Sequence, residues 1–391
     1  MTEQAMKNHL EKVAFEKLFS TWGQDFVNSP KGAEAVDEVL YQRQKKAETY
    51  AVKWLNQFLP LRDATVVEIG CGTGAASIPL ARICKRLVGL DIDHNSIEVA
   101  KARAEYCGAR DNVEFLPVAP EQLLDKALVC VERVDVFVLY AVLEHLTPIE
   151  RLHYLQAMWQ ALPEGGAIVV IETPNRLTWE DKHTAYMDFF HMLPDEYVRA
   201  YAERSPRPYF AETMKGLDEA SFRESRYRWG MGASFHEFEL AFSENLNEIV
   251  VADGLELEMT NMFPIEADEV ALRQYFIRRG VAQPIGFSRA VLNLILRKPS
   301  SATERQANVN YNERSRARER AKCLHSETWY GRMRQRFFPN PETAAFMAEL
   351  KHARQMANDR YLAIQQMDLM LHQRDAEIAE LNARLRDVAP G

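Results

Sequence analysis

Cysteine is scarce in this chain and shows no pairing. Five cysteines are scattered over 391 residues, at Cys71, Cys84, Cys107, Cys130 and Cys323, with no CxxC spacing and an odd count. That pattern argues against a disulfide framework. With no stretch at the start that reads as a signal peptide, the expected setting is a reducing cytoplasm. Long apolar runs are missing as well, and none reaches the roughly 18 residues of a membrane span. Basic excess is also lacking: the formal net charge is −8, the wrong sign for general nucleic-acid binding. The His, Asp and Glu residues show no ligand spacing, so no metal is expected. What the chain does have is apolar side chains, 47% of the total. They suffice for a sizeable core, in a chain long enough for one large domain with attachments.

The richest stretch is Thr65-Val66-Val67-Glu68-Ile69-Gly70-Cys71-Gly72-Thr73-Gly74, followed by Leu87-Val88-Gly89-Leu90-Asp91. The run from Val66 reads as a buried parallel strand. Its glycines let the backbone turn sharply and approach a ligand where a β-carbon would clash. Ala75 to Cys84 can then start a helix whose amide end faces that ligand. Asp91, at the next strand's carboxyl end, is placed to accept both hydroxyls of a ribose. The pattern predicts an α/β sheet that binds a nucleoside-containing cofactor. Gly70, Gly72 and Ala75 also satisfy the loose dinucleotide fingerprint, with Asp91 at about its spacing, so the glycines alone do not choose between cofactors.

Three further features do. Glu68, two residues before the first glycine, suits a cationic amine better than a pyrophosphate. Val134 to Tyr140 leads into Ala141-Val142-Leu143-Glu144-His145-Leu146. Leu162-Pro163-Glu164-Gly165-Gly166 precedes a strand Ala167 to Ile171 that closes on Glu172-Thr173-Pro174-Asn175. Together, from about Ala51 to Lys298, these resemble the class I S-adenosylmethionine-dependent methyltransferases, in the branch with LEHL and TPN elements. The resemblance implies a doubly wound, seven-stranded Rossmann-like sheet. It implies that Glu68 and the Gly70–Cys71–Gly72 backbone hold the methionine part of the cofactor, that Asp91 binds the ribose and that Ile92 packs on the adenine. Tyr140 would lie under the methionine amine. One departure stands out: Ala119 occupies the place of an aspartate that usually accepts the adenine amino hydrogen, with Glu121 as the candidate substitute.

The organisation read from the sequence has four parts. Residues 1–60 form an N-terminal helical segment, and 61–300 the methyltransferase domain, with the sheet resuming at Leu255 to Phe263 and ending at Ala290 to Leu296. Residues 301–340 are a basic-aromatic linker and 341–389 a coiled coil. Within the domain, 176–233 is an insertion leaving a strand's carboxyl end, where ligands bind. It carries Arg176, Trp179, Asp181, His183, Tyr186, Asp188, His191 and Tyr197, next to Asn175. Transfer to a hydroxyl needs a base, which a histidine supplies near neutral pH. The candidates, in order, are His183, His145 and His191. Their structural alternatives are a capping role for His145 and a core position for His191, while His236 sits in a Ser234–Glu237 capping box. Asn175 either binds substrate or ends the strand. Cys71 reads as a small filler.

Arginines alternate with Trp329, Tyr330, Phe337 and Phe338 before Pro341. Such a stretch suits an anionic membrane surface, although a solvated linker is the stronger expectation. Beyond it, Phe346, Leu350, Ala353, Ala357, Ile364, Met367, Leu371, Ile378, Leu381 and Leu385 follow coiled-coil spacing, interrupted by Arg360 and Arg374, and imply a homo-oligomer. The expected function is O-methylation of a sugar or glycan in bacterial surface polysaccharide synthesis, in the cytoplasm or at the inner face of the membrane. The alternatives are a small-molecule O-methyltransferase of quinone or secondary-metabolite type, and a non-catalytic coiled-coil assembly protein with a degenerate fold. No nucleic-acid partner is expected.

Overall fold

In a computed structural model, which describes residues 3–109, 111–207 and 209–337, the apolar runs become the strands of one sheet. They are β1 (Thr65–Ile69), β2 (Arg86–Asp91), β3 (Val113–Pro117), β4 (Val136–Tyr140) and β5 (Ala167–Pro174). A two-stranded hairpin in the insertion follows, β6 (Glu180–Asp181) with β7 (Met187–Asp188), and then β8 (Val250–Ala252) and β9 (Val291–Arg297) return to the sheet. All five residues of β4 are buried, because helices cover both faces of a parallel sheet.

The order is β3-β2-β1-β4-β5-β9-β8. Strands β1 to β5 run parallel, whereas β9 is antiparallel to both β5 and β8. The order reverses between β1 and β4, so their carboxyl ends flank a crevice. The register Ile69↔Leu139 and Tyr140↔Ile171 brings the ends of β1, β4 and β5 level. Near its end β5 slips register against β9 between Val170 and Thr173. Glu172 lies there with φ of 62°, its N–H donating to Asn293 Oδ1 at 3.0 Å.

Several boundaries differ from the expectation. The helix after the glycine loop is short, Ser77–Ala81. The expected strand Leu255 to Phe263 is instead a helix, Leu257–Met262, and the sheet takes Val250–Ala252. Met259, Met262 and Phe263 fall at helical spacing and pack on the cluster around Trp54 and Leu55; that one-sided burial overrides the β-like composition. The stretch read as a solvated linker is also helical, Ala302–Phe337. It is bonded to the edge strand β8 and the segments flanking it: Asn312 Nδ2 donates to Val250 O at 3.0 Å, Asn308 Nδ2 to Glu248 O at 2.7 Å and the Tyr311 hydroxyl to Glu256 at 2.7 Å. Residues 1–320 accordingly form one compact unit. The expected coiled coil, 341–389, lies outside the described residues. Among the described residues no helix is long and apolar enough to cross a membrane.

The N-terminal helices are tied down close to the crevice. Helix Glu3–Lys17 packs Leu10 and Ala14 against Val99 and Ala102 of helix His94–Tyr106. The fully buried Arg103 donates to Leu40 O at 2.6 Å, Val39 O at 2.9 Å and Thr73 O at 2.8 Å. One guanidinium thereby joins the segment around Arg43 to the glycine loop.

Candidate active site

The cradle at the end of β1 is built by backbone. Gly70 and Gly72 have φ of 72° and 51°, conformations that glycine reaches without steric cost. The Gly72 N–H donates to Asp91 Oδ2 at 2.7 Å and the Asp93 N–H to Asp91 Oδ1 at 2.8 Å. These bonds aim the carboxylate across the crevice and leave each oxygen a lone pair. A β-carbon on Gly70 would fall 2.4 Å from a Val142 methyl, whereas one on Gly72 would meet no atom within 4 Å. The Gly72 backbone thus faces open space.

Beneath it, Glu68 is buried and its Oε2 has no hydrogen-bond partner. Burial pushes its carboxyl up to about 7; the neighbouring Ser77 hydroxyl opposes that rise and the charge of Asp91 adds to it. An orphaned acid under an open glycine backbone fits a ligand with a cationic amine, and Asp91 fits its hydroxylated ring. Ile92, 55% exposed at the end of β2, offers a flat apolar surface beside Asp91. Ala119 and Glu121 lie exposed at the short turn after β3, whose start is held by the Val118 N–H on Asp91 O at 2.9 Å. Cys71 is buried with Ile78, Ile97 and Phe115, and burial raises its thiol well above the ordinary value, so it stays protonated. Tyr140 is buried at the end of β4, its hydroxyl also raised by burial.

The neighbouring strand ends carry strain. Ala141 and Glu172, at the ends of β4 and β5, both have positive φ, 54° and 62°, which costs on the order of 1–3 kcal/mol each and concentrates at functional sites. After Ala141 the chain turns through Leu143–His145. The buried Arg151 clamps that turn, donating to Leu146 O at 3.0 Å and Glu144 O at 3.2 Å on one side and to Gly232 O and Met231 O on the other. The clamp docks the end of the insertion against the LEHL turn.

Beyond the strand ends lies a cavity of about 220 Å³, lined among others by Glu172, Arg176, Asp181, His183 and His191. His183 and His191 share no helix; the hairpin β6–β7 sets them on one wall. His145 stands beside His183 with ring centres 5.4 Å apart. Burial lowers all three imidazoles, His183 to about 4, so each is neutral at pH 7. His191 keeps a hydrogen bond with the Thr178 backbone, while its buried Nε2 has no partner. Asp181 spends its carboxylate on the Thr184 and Ala185 N–H groups, at 2.8 and 3.1 Å. Asn175 closes the strand end by donating to Phe287 O and Arg289 O, both at 2.7 Å. His236 sits in the Ser234–Glu237 capping box, its Nδ1 3.0 Å from Ser234 Oγ.

A family model described as a methyltransferase domain matches residues 66–166, the span from β1 to the start of β5. Residues 66–166 are a methyltransferase domain. Over 155 residues it is 31% identical to a ubiquinone biosynthesis O-methyltransferase from Methylobacterium sp. (strain 4-46), covering 36% of this chain and 59% of that protein. A protein of the same description from Azorhizobium caulinodans is 34% identical over 117 residues, 30% of this chain and 43% of the relative. The chain therefore spans less than two thirds of these relatives. Among solved structures, a putative S-adenosylmethionine-dependent methyltransferase from Methanococcus maripaludis aligns at 14% identity with a TM-score of 0.35, covering 69% of this chain and 94% of the other.

The orphaned Glu68 oxygen and the open Gly72 backbone fit the amino-acid end of S-adenosylmethionine. One residue beside the site escapes sequence reading. Glu144 lies inside the LEHL element, but only the fold shows that it is wholly buried with an unpartnered oxygen.

Proposed function

We propose that this methyltransferase methylates a hydroxyl oxygen of a small-molecule acceptor with a single ring in the site, rather than a glycan. The observation that carries this reading is the cavity of about 220 Å³ at the end of β5, one strand from the cofactor crevice. A cavity of about 150 Å³ accepts benzene, so this one suits one substituted six-membered ring. Support also comes from the relatives, which are described as ubiquinone biosynthesis O-methyltransferases. The glycan expectation rested on the layout after residue 300, part of which packs on the domain instead.

When bound, S-adenosylmethionine supplies a methyl group on a positively charged sulfur. Glu68 would hold its amine, the Gly70–Gly72 backbone and Tyr140 its methionine chain, and Asp91 its ribose. The protein contributes alignment, which supplies much of the acceleration of a direct displacement, together with a neutral imidazole at the cavity wall to take the hydroxyl proton. The test is methyl transfer from labelled S-adenosylmethionine to catechol-type, monophenolic and sugar acceptors. Turnover of a ring hydroxyl and none of sugars is expected, and the reverse preference would overturn the reading.

A further inference from the structure

Glu144, His145 and His183 each present one ligating atom, and the three atoms lie within 4.8 Å of one another. We propose that these three side chains form a binding site for a divalent transition-metal ion at the wall of the acceptor cavity. The geometry of each ligand supports it. Glu144 is wholly buried; its Oε2 accepts from the Thr173 hydroxyl at 3.1 Å, while Oε1 has no partner. His145 Nδ1 lies 2.8 Å from the carbonyl of Arg228, an acceptor, so Nδ1 carries the proton. That tautomer leaves a lone pair on Nε2, which stands 4.0 Å from Glu144 Oε1. Anchoring one imidazole nitrogen to a carbonyl while the other ligates is the usual support of a metal-bound histidine. His183 is wedged against Gly230, where a β-carbon would fall 2.0 Å from its Nδ1, and that nitrogen is buried without a partner.

The local alternatives account for less. At 4.0 Å, Glu144 and His145 are too far apart for a hydrogen bond. The Arg151 guanidinium reaches the Glu144 backbone carbonyl rather than its carboxylate, and Arg228 pairs with Glu150 at 2.7 Å. A buried carboxylate oxygen and a buried imidazole nitrogen, both without partners, then lie close together, a costly arrangement without a shared partner. Metal–ligand bonds of about 2.0–2.2 Å put tetrahedral ligand atoms roughly 3.3 Å apart, so the observed 4.0 Å pair closes by less than 1 Å. Two imidazoles and one carboxylate suit Zn²⁺, Mn²⁺ or Co²⁺, and three protein ligands leave a position open. His183 also lines the cavity, so an ion held by it would sit at the cavity's edge. A cation there lowers the pKa of a hydroxyl placed next to it, leaving His191 as the imidazole that accepts the proton. This role, though not the binding itself, rests on the function proposed above.

The site is tested on the full chain after chelator treatment, by calorimetric titration of ZnCl₂ and MnCl₂ and by the visible spectrum on adding CoCl₂. The variants are Glu144→Gln, His183→Asn and, as a control, His236→Asn, each checked by circular dichroism. Titration of S-adenosylhomocysteine runs in parallel, so loss of the cofactor reading registers separately. The expected result is one equivalent of ion, weakened at least about 100-fold by either ligand substitution and unchanged in the control. No ion bound by the wild type, or equal binding by Glu144→Gln and His183→Asn, overturns the proposal. Should a ligand variant misfold, the wild-type Co²⁺ spectrum decides: bands of a low-coordinate nitrogen–oxygen site support it, and the spectrum of hydrated Co²⁺ overturns it.

Discussion

Replacing Glu68 by Gln is predicted to move stability and cofactor affinity in opposite directions. Glu68 is 1% exposed, and burial lifts its carboxyl from an ordinary 4.5 to about 7. A raised carboxyl pKa means that ionisation is harder in the folded protein than in the unfolded chain. Its contribution to stability is intact below pH 4.5 and is lost as pH rises through 7. At roughly 1.4 kcal/mol per pH unit, the ionised side chain costs the cofactor-free protein about 3 kcal/mol at pH 8. The isosteric, neutral Gln removes that cost. For a folded unit of this size, about 3 kcal/mol corresponds to roughly 5–10 °C in Tm. On the proposed assignment S-adenosylmethionine presents an ammonium group to the same carboxylate, and removing one partner of a buried ion pair costs about 3–5 kcal/mol, on the order of 100-fold or more in Kd. The assay is thermal unfolding at pH 5 and pH 8, with and without S-adenosylhomocysteine, beside calorimetric titration. The expected pattern is a higher Tm for the variant at pH 8, little difference at pH 5, and lost ligand stabilisation. A Tm lowered at pH 8 together with unchanged affinity would refute the assignment of Glu68.

Other substitutions separate the remaining parts of the site. Gly72→Ala meets no atom within 4 Å, so it should cost only about 1 kcal/mol of backbone strain while weakening S-adenosylhomocysteine binding severalfold or more, read by calorimetry. His191→Asn should lower kcat by about 10²–10⁴-fold with cofactor affinity unchanged, read by steady-state kinetics. A chain ending at Lys322 should keep the Tm of the full chain, whereas one ending at Lys298 should lose several °C with the Asn308, Tyr311 and Asn312 bonds. If 341–389 is a coiled coil, light scattering should find the full chain oligomeric and the Lys322 chain monomeric; a monomeric full chain would refute that reading.

The parts of the protein legible in its sequence are those governed by short-range rules. A strand buried on both faces must be an apolar run, and a backbone that turns against a ligand must be glycine. The acid that receives a ribose must follow the next strand. Val66 to Gly74 and Leu87 to Asp91 therefore declare β1, its glycine loop and β2 unaided, and the apolar runs at Val136 and Ala167 declare the centre of the sheet. Local periodicity failed where packing outweighed it. Leu257–Met262 looks like a strand and folds as a helix because Met259 is buried against the N-terminal helices. The arginine-rich stretch after Thr303 looks solvated, yet Asn312 finds a carbonyl partner on the edge strand and Asn308 one in the helix just before it.

The central parallel strands and the glycine loop were thus legible in the sequence alone, because each depends on residues close together in the chain. The acceptor side was decided by tertiary structure. Glu144 and His183 are 39 positions apart in the sequence, and they meet only because Arg151 docks Met231 and Gly232 against the LEHL turn. No spacing rule covers such distances, since loop closure lets any two surface segments meet at modest entropic cost. Which of them do meet is settled by what the whole core can bury.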